Sequence, residues 1–244
     1  MKNKNIKWDL PQKILVILAH PDDPEFFCGG TIAKWVSEGH ELSYCLLTKG
    51  EKGVNEKFNL DDINTIKNIR VLEQENAAAI LGVKDIKIFD NPDGYLIPSL
   101  SIRRQVVREI RIIKPDIVVS CDPTNYYLRD TYINHPDHRA AGQIVVDSVF
   151  PATQNPAFFP DLMIMGRLHP HKVKEVWLSL PSKPNVKINV TKYWSKKIEA
   201  LHEHHSQIGD PKEFDQRMLS RRTKDSSVKK PKFEELFHRI ILQR

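Results

Sequence analysis

No apolar run in this 244-residue chain is long enough to cross a bilayer: the longest, Ile14 to Ala19, falls far short of the ~20 residues a membrane helix needs. The opening MKNKNIKWDL is polar and lacks the apolar core of a signal peptide, so export is not expected. Cysteine is scarce. Cys28, Cys45 and Cys121 are odd in number and widely scattered, which argues against a disulfide framework and fits a reducing cytoplasm. The glycine fingerprint G-x-G-x-x-G is absent, so nothing points to dinucleotide binding. There is no internal repeat. Acidic residues are outnumbered, 31 against 37 basic, for a formal net charge of +6. Part of that excess lies in SRRTKDSSVKKPK (220–232), where no aromatic residue interleaves to stack on bases. It reads as a solvated surface loop, and no nucleic-acid partner is expected.

What is present is ordinary for a soluble globular protein: 40% hydrophobic and 28% charged residues, enough for one large domain over 1–244. Strand-like and helix-like segments alternate. KILVILA (13–19), ELSYCLLT (41–48), IKIFD (86–90) and DIVVSCD (116–122) read as strands one to four, with KEVWLSL (174–180) and VKINV (186–190) after them. Helices are expected over 29–40, 62–81, 100–113, 136–149 and 192–206, with helical pieces around 211–221 and 232–242. In 62–81, Ile66, Ile69, Ala77 and Ile80 mark the apolar face and Gly82 the stop; Ser99 or Ser101 caps 100–113. In 192–206, Trp194, Ile198, Leu201 and His205 share a face and are expected in the core. The Pro-rich stretch 150–172 is expected to be a substrate wall or a contact between copies in a homo-oligomer. The β-α-β-α order implies an α/β fold with a mainly parallel sheet and helices on both faces. Such sheets bind ligands beyond the carboxyl ends of their strands.

The unusual chemistry lies in those positions. Strand one runs into AHPDDPEF (19–26), and strand four leads to NHPDHRAAG (134–142). A helix cap explains part of the first: Asp23 as N-cap, Pro24 at N1, Glu25 in the first turn. It leaves His20 and Asp22 unexplained. A metal site explains more. His20 and Asp23, three apart in a tight turn, can reach one ion, and Asp22 is then free to act as a base. A catalytic zinc site takes about three protein ligands. The third is His135 or His138, and spacing alone does not choose between them.

The chain resembles the LmbE/PIG-L family of zinc-dependent de-N-acetylases. The resemblance rests on AHPDD-x-E-F-x-C-G-G-T, T-K-G-E-K-G, R-x-x-E-x-x-x-A-A-x-x-L-G, P-D-G-x-L and H-P-D-H-R, and spans about residues 13–207. It departs from many members in Pro24, which separates the acid pair from Glu25. The resemblance implies a Rossmann-like fold and a Zn2+ ion held by His20, Asp23 and His138. It implies Asp22 as general base, His135 as oxyanion stabiliser or proton donor, and Asp137 as the carboxylate that orients His135 and keeps it cationic. It directs Arg70 and Asp93 toward the hydroxyls of an N-acetylglucosamine-like substrate and places His204 at the pocket. The rival within the family is a zinc amidase cleaving thiol conjugates of the mycothiol or bacillithiol type. Tyr126, Tyr127 and Tyr132 are candidates to stack on a sugar ring or to pack their loop. Cys28 has no base beside it in sequence and is not expected to be a nucleophile.

Overall fold

A computed structural model describes residues 6, 8–53, 63–128 and 131–243. Part of the loop after strand two (54–62) and residues 129–130 lie outside the described residues, as does the expected start of the second helix at 62. The elements run β1 (Lys13–Leu18), α1 (Asp23–Ser37), β2 (Glu41–Thr48), α2 (Ile63–Leu81), β3 (Asp85–Asn91), α3 (Leu100–Ile113), β4 (Ile117–Cys121), β5 (Tyr127–Leu128), β6 (Tyr132–Ile133) and α4 (Pro136–Asp147). There follow α5 (Pro160–Ile164), β7 (Glu175–Ser179), β8 (Val186–Asn189), α6 (Trp194–His202), α7 (His205–Ile208), α8 (Pro211–Leu219) and β9 (Glu234–Ile241).

Seven strands form one sheet in the order β3-β2-β1-β4-β7-β9-β8, and β5 and β6 form a separate hairpin. β3, β2, β1, β4 and β7 are mutually parallel, while β9 runs antiparallel to both β7 and β8. The alternation of β1 explains its unbroken apolar sequence. Ile14, Val16 and Leu18 enter one core with α1 and α2; Leu15, Ile17 and Ala19 enter the other with α3 and α4. β2 and β4 flank β1: the chain runs from β1 through β2 to β3 on one side, then crosses over to β4 on the other. The carboxyl ends of β1 and β4 therefore face the crevice where such folds bind ligands.

Several expectations need correction. Residues 232–242 are a strand, not a helix, with Phe233, Glu235 and Phe237 buried at period two. The buried face of α2 is Ile66, Arg70, Glu73, Gln74, Ala77, Ala78 and Leu81; polar side chains occupy its centre, and Ile69 and Ile80 are only partly covered. The segment expected as one helix over 192–206 is divided between α6 and α7, and His205 is exposed. No residue of 150–172 lines the cleft described below. Other expectations hold: of the two candidate caps of α3, Ser99 is the one used, accepting from the Ile102 amide at 3.3 Å. Segment 220–232 is, as expected, a surface loop, a run of largely exposed turns.

α1 breaks at Cys28 (φ −145°), and the amides of Gly30 and Thr31 just beyond donate to the Glu235 carboxylate at 3.0 and 2.7 Å. Lys197 Nζ joins the same carboxylate at 2.6 Å. A Cβ on Gly30 would lie 2.7 Å from Val190 Cβ, so glycine here permits close approach. Cys28, Cys45 and Cys121 are buried and unpaired, and burial, then Glu235, pushes the Cys28 thiol up, which suits packing rather than attack. Among the described residues no helix is long and apolar enough to cross a membrane.

Candidate active site

The turn after β1 is built around the Asp23 carboxylate. Its Oδ2 accepts the amides of Ala19 and His20 at 3.2 and 2.9 Å and lies 3.4 Å from His20 Nδ1. Its Oδ1 lies 3.1 Å from His138 Nε2. Asp23 is the first residue of α1, and the N-cap position belongs to Asp22, whose side chain makes no cap bond. The helix-cap reading of Asp23 is therefore replaced. Asp22 has φ 96°, a left-handed backbone uncommon for a side-chain-bearing residue. Its amide donates to Gln74 Oε1 at 2.8 Å and its carboxylate accepts from Arg70 Nη2 at 3.1 Å.

The loop after β4 brings His135 and His138 to the same place. Ring centroids are 4.9 Å apart for His20–His135, and 5.2 Å for both His20–His138 and His135–His138. His135 is the N-cap of α4, and its Nδ1 accepts the Asp137 amide at 3.2 Å. The loop after β3 supplies Asp93, whose Oδ1 lies 3.0 Å from His20 Nε2 and whose Oδ2 accepts the Lys52 amide at 2.8 Å.

The Asp137 carboxylate was expected on the His135 ring and is elsewhere. It accepts the amides of Gly94 and Leu96 at 2.7 and 3.2 Å and faces His20 Nε2 at 3.4 Å. It ties the β3 loop to α4. The expectation of a cationic His135 is corrected with it. Burial, then the neighbouring His20 and His138, holds the His135 imidazole below its ordinary value, and the Asp137 and Asp93 charges do not compensate.

The other groups divide by environment. Burial opposes a charge on His20, yet Asp23, Asp137 and Asp93 raise it well above an ordinary histidine. Burial alone would raise Asp23, but His138 and His20 hold it far below the usual carboxylate range. Asp93 is pulled down to about 2 against its burial, chiefly by His20. Asp22 moves the other way. Burial raises it, and the Arg70 charge offsets only part of that.

A cleft of about 400 Å³ opens over these groups, lined by His20, Asp22, Asp23, Phe26, Phe27, Lys52, Gly53, Arg70, Asp93, Gly94, Tyr132, His135, His138 and Gln207. Arg70, expected to reach for substrate hydroxyls, lines it but turns both Nη groups to the protein. Besides Asp22, it donates to the carbonyls of Gly50 and Pro21, both at 2.5 Å. The simple alternative of an Arg70–Glu73 surface pair is also displaced, because Glu73 accepts the amide and hydroxyl of Ser206. His204, expected at the pocket, is fully buried behind it, with Nε2 3.2 Å from Glu25 Oε2. Burial disfavours its charge, but the Glu25 contact raises its pKa overall. Of the three tyrosines only Tyr132 lines the cleft; Tyr126 lies under the Arg139 guanidinium.

Sequence reasoning missed Lys52, Gly53, Gln74 and Gln207. The two glycines of TKGEKG carried a readable signal. A Cβ on Gly50 would come within 2.4 Å of Arg70 Nη1, and one on Gly53 within 2.1 Å. The motif makes room for a buried guanidinium.

Donor atoms of His20, His135 and His138 lie within 4.8 Å of one another, as do those of His20, Asp93 and Asp137. Imidazole nitrogens with the Asp23 carboxylate beside them form the N/O donor set that suits a divalent transition metal.

Comparison with known proteins identifies the family. The profile of the family described as GlcNAc-PI de-N-acetylase (PIG-L) matches residues 15–149. Diacetylchitobiose deacetylase of Thermococcus kodakarensis is 34% identical over 197 residues, covering 81% of this chain and 70% of the relative. A probable N-acetyl-α-D-glucosaminyl L-malate deacetylase of Bacillus anthracis is 30% identical over 203 residues, covering 80% and 81%. The solved structure of N,N′-diacetylchitobiose deacetylase from Pyrococcus horikoshii superposes with a TM-score of 0.82 at 29% identity, over 94% of this chain and 84% of that one. With its α/β sheet, the HPDD turn after β1 and the HPDH turn after β4, this chain belongs to the PIG-L family.

Proposed function

We propose that the protein is a metal-dependent hydrolase that removes the N-acetyl group from an N-acetylglucosamine-like sugar or glycoconjugate. The observation that carries this reading is the convergence of three histidines with Asp22 and Asp23 in one cleft, in a chain whose relatives are named as deacetylases of such sugars. The cleft volume is of the order expected for a small-molecule site.

His20, Asp23 and His138 are the residues that would hold Zn2+, because the two Asp23 oxygens face one imidazole each. When bound, the ion supplies a Lewis acid for the acyl oxygen and acidifies water. The remaining work falls to the chain. Asp22 takes a proton from the attacking water as its oxygen bonds the acyl carbon. It returns that proton to the nitrogen as the C–N bond breaks, leaving acetate and a free amine. The upward push on Asp22 suits a group that must hold the proton in between. His135 uses Nδ1 to accept the Asp137 amide, so in its neutral form the proton sits on Nε2, a fixed donor for the acyl oxygen as charge develops there. Asp93 holds Lys52 and His20 and keeps lone pairs for a sugar hydroxyl.

The test is acetate release by metal-loaded protein from diacetylchitobiose, N-acetylglucosaminyl malate, its inositol conjugate and acylated thiol conjugates. Turnover of the N-acetyl sugars is expected. Cleavage confined to the thiol conjugates would transfer the reading to the amidase, and no release from any at full metal occupancy would end it.

A further inference from the structure

The least comfortable backbone in the site belongs to Asp22, and one side chain that does not line the cleft holds it. Gln74 is fully buried on α2, one helical turn beyond Arg70. Its Oε1 accepts the Asp22 amide at 2.8 Å. Its Nε2 donates to both oxygens of Glu25, at 3.1 and 3.0 Å. Glu25 in turn accepts from Tyr44 Oη at 3.2 Å and lies 3.2 Å from His204 Nε2. Glu25, Tyr44 and His204 are fully buried as well.

We infer that Gln74 is a positioning residue, which sets the direction of the Asp22 carboxylate by holding the Asp22 amide in the left-handed conformation. An N–H can only donate, so the Gln74 oxygen must face Asp22 and its NH2 must face Glu25. Glu25, Tyr44 and His204 thereby fix which way the glutamine points. Without the acceptor, the Asp22 amide would be left with an unfilled donor at the site, and the left-handed aspartate would lose the hydrogen bond that holds its own amide. Arg70 grips the Asp22 carboxylate and the Pro21 carbonyl, while Gln74 grips the backbone between them. Two positions one turn apart on α2 thus define both the place and the direction of the base. This rests on Asp22 being the base in the reading above.

The experiment uses metal-loaded Gln74→Met, which keeps volume and loses both polar atoms, and the reciprocal double variant Gln74→Glu/Glu25→Gln, which restores an acceptor toward Asp22 and a donor between the two side chains. The crystal structure of Gln74→Met should show Asp22 out of the left-handed region. Its kcat should fall about 100-fold, the cost typical of misplaced reacting groups, with KM and metal content unchanged. The double variant should recover most of that loss. An unchanged kcat, a loss that merely tracks lost metal or lost folded protein, or an unrecovered double variant overturns the inference. Should Gln74→Met not fold, the folded double variant decides by the same kcat criterion. If wild-type protein releases acetate from no substrate, the deacetylase reading falls separately. The conformation of Asp22 in the variant then decides the role of Gln74, and a left-handed Asp22 without the glutamine refutes it.

Discussion

His135 Nδ1 accepts the backbone N–H of Asp137 at 3.2 Å, while the carboxylate of Asp137 turns to the amides of Gly94 and Leu96. The two residues are thus linked through the helix cap rather than through an imidazole–carboxylate pair. The cap fixes the tautomer of a neutral imidazole, and burial beside two other histidines favours that neutral form. One turn of α4 therefore supplies a donor of defined direction without a buried charge.

This relationship changes what substitution should do. His135→Ala should lower kcat ~100- to 1000-fold at full metal occupancy, the usual cost of losing one oxyanion donor. His135→Gln keeps a neutral N–H and should retain more activity than the alanine variant. Because His135 is held below its ordinary value, it is neutral above that lowered pKa, and its protonation contributes to the acidic limb of the pH–rate profile. Asp137→Asn removes a charge that favours the imidazolium. The acidic limb should then move to lower pH, with the basic limb unmoved. A shift of the basic limb would restore a cationic His135 to the mechanism.

Asp22 and His138 should separate by metal content. Asp22→Asn should retain the ion and lose ~100- to 10,000-fold in turnover, because an amide cannot take up the proton. His138→Ala should lose most of its metal, since it removes the imidazole facing Asp23 Oδ1. Elemental analysis beside acetate-release kinetics reads both. Metal loss in the Asp22 variant, with activity regained in excess zinc, would exchange the roles of the two aspartates.

Gly50 tests the Arg70 clamp on Asp22. It has φ 69° and its absent Cβ leaves room for the Arg70 guanidinium. Gly50→Ala should strain the turn and displace Arg70 from Asp22 together. The expected outcome is a destabilisation of ~1 kcal/mol or more in thermal melts and a lower kcat per metal-loaded site. A variant that loses stability alone would show that Arg70 does not need this seat.

The sequence made the parallel half of the sheet readable, because strands buried on both faces are unbroken apolar runs such as ILVILA. It also marked the two turns that carry the histidines, since charges at the end of a core strand have few structural explanations. It failed where polar groups are buried with partners. β9 contains Glu235, satisfied by Gly30, Thr31 and Lys197, and a glutamate in the buried register hides the period of two. α2 fails for the same reason: its covered face carries Arg70, Glu73 and Gln74, so periodicity in isoleucine pointed slightly aside. The pairing of Asp137 with the β3 loop depends on backbone amides, which leave no mark on residue identity.

The amino-terminal end of β7, outside the cleft, gives a stability prediction with a definite sign. Glu175, at the start of β7, accepts from Trp8 Nε1 at 3.1 Å, Trp177 Nε1 at 2.8 Å, and Arg239 Nε and Nη2 at 2.8 and 2.6 Å. Burial alone would raise its pKa, but these donors, Arg239 foremost, lower it below that of a free glutamate. A carboxyl whose folded pKa is depressed adds stability above its unfolded value, ~4.3, and that contribution disappears as pH falls through the folded value. Glu175→Gln offers one acceptor oxygen in place of two and should cost ~1–3 kcal/mol near neutral pH. The Tm gap between wild type and Glu175→Gln should therefore be widest near pH 7 and narrow as pH drops below ~4. A gap constant with pH would mean that the four donors hold the neutral acid as firmly as the carboxylate.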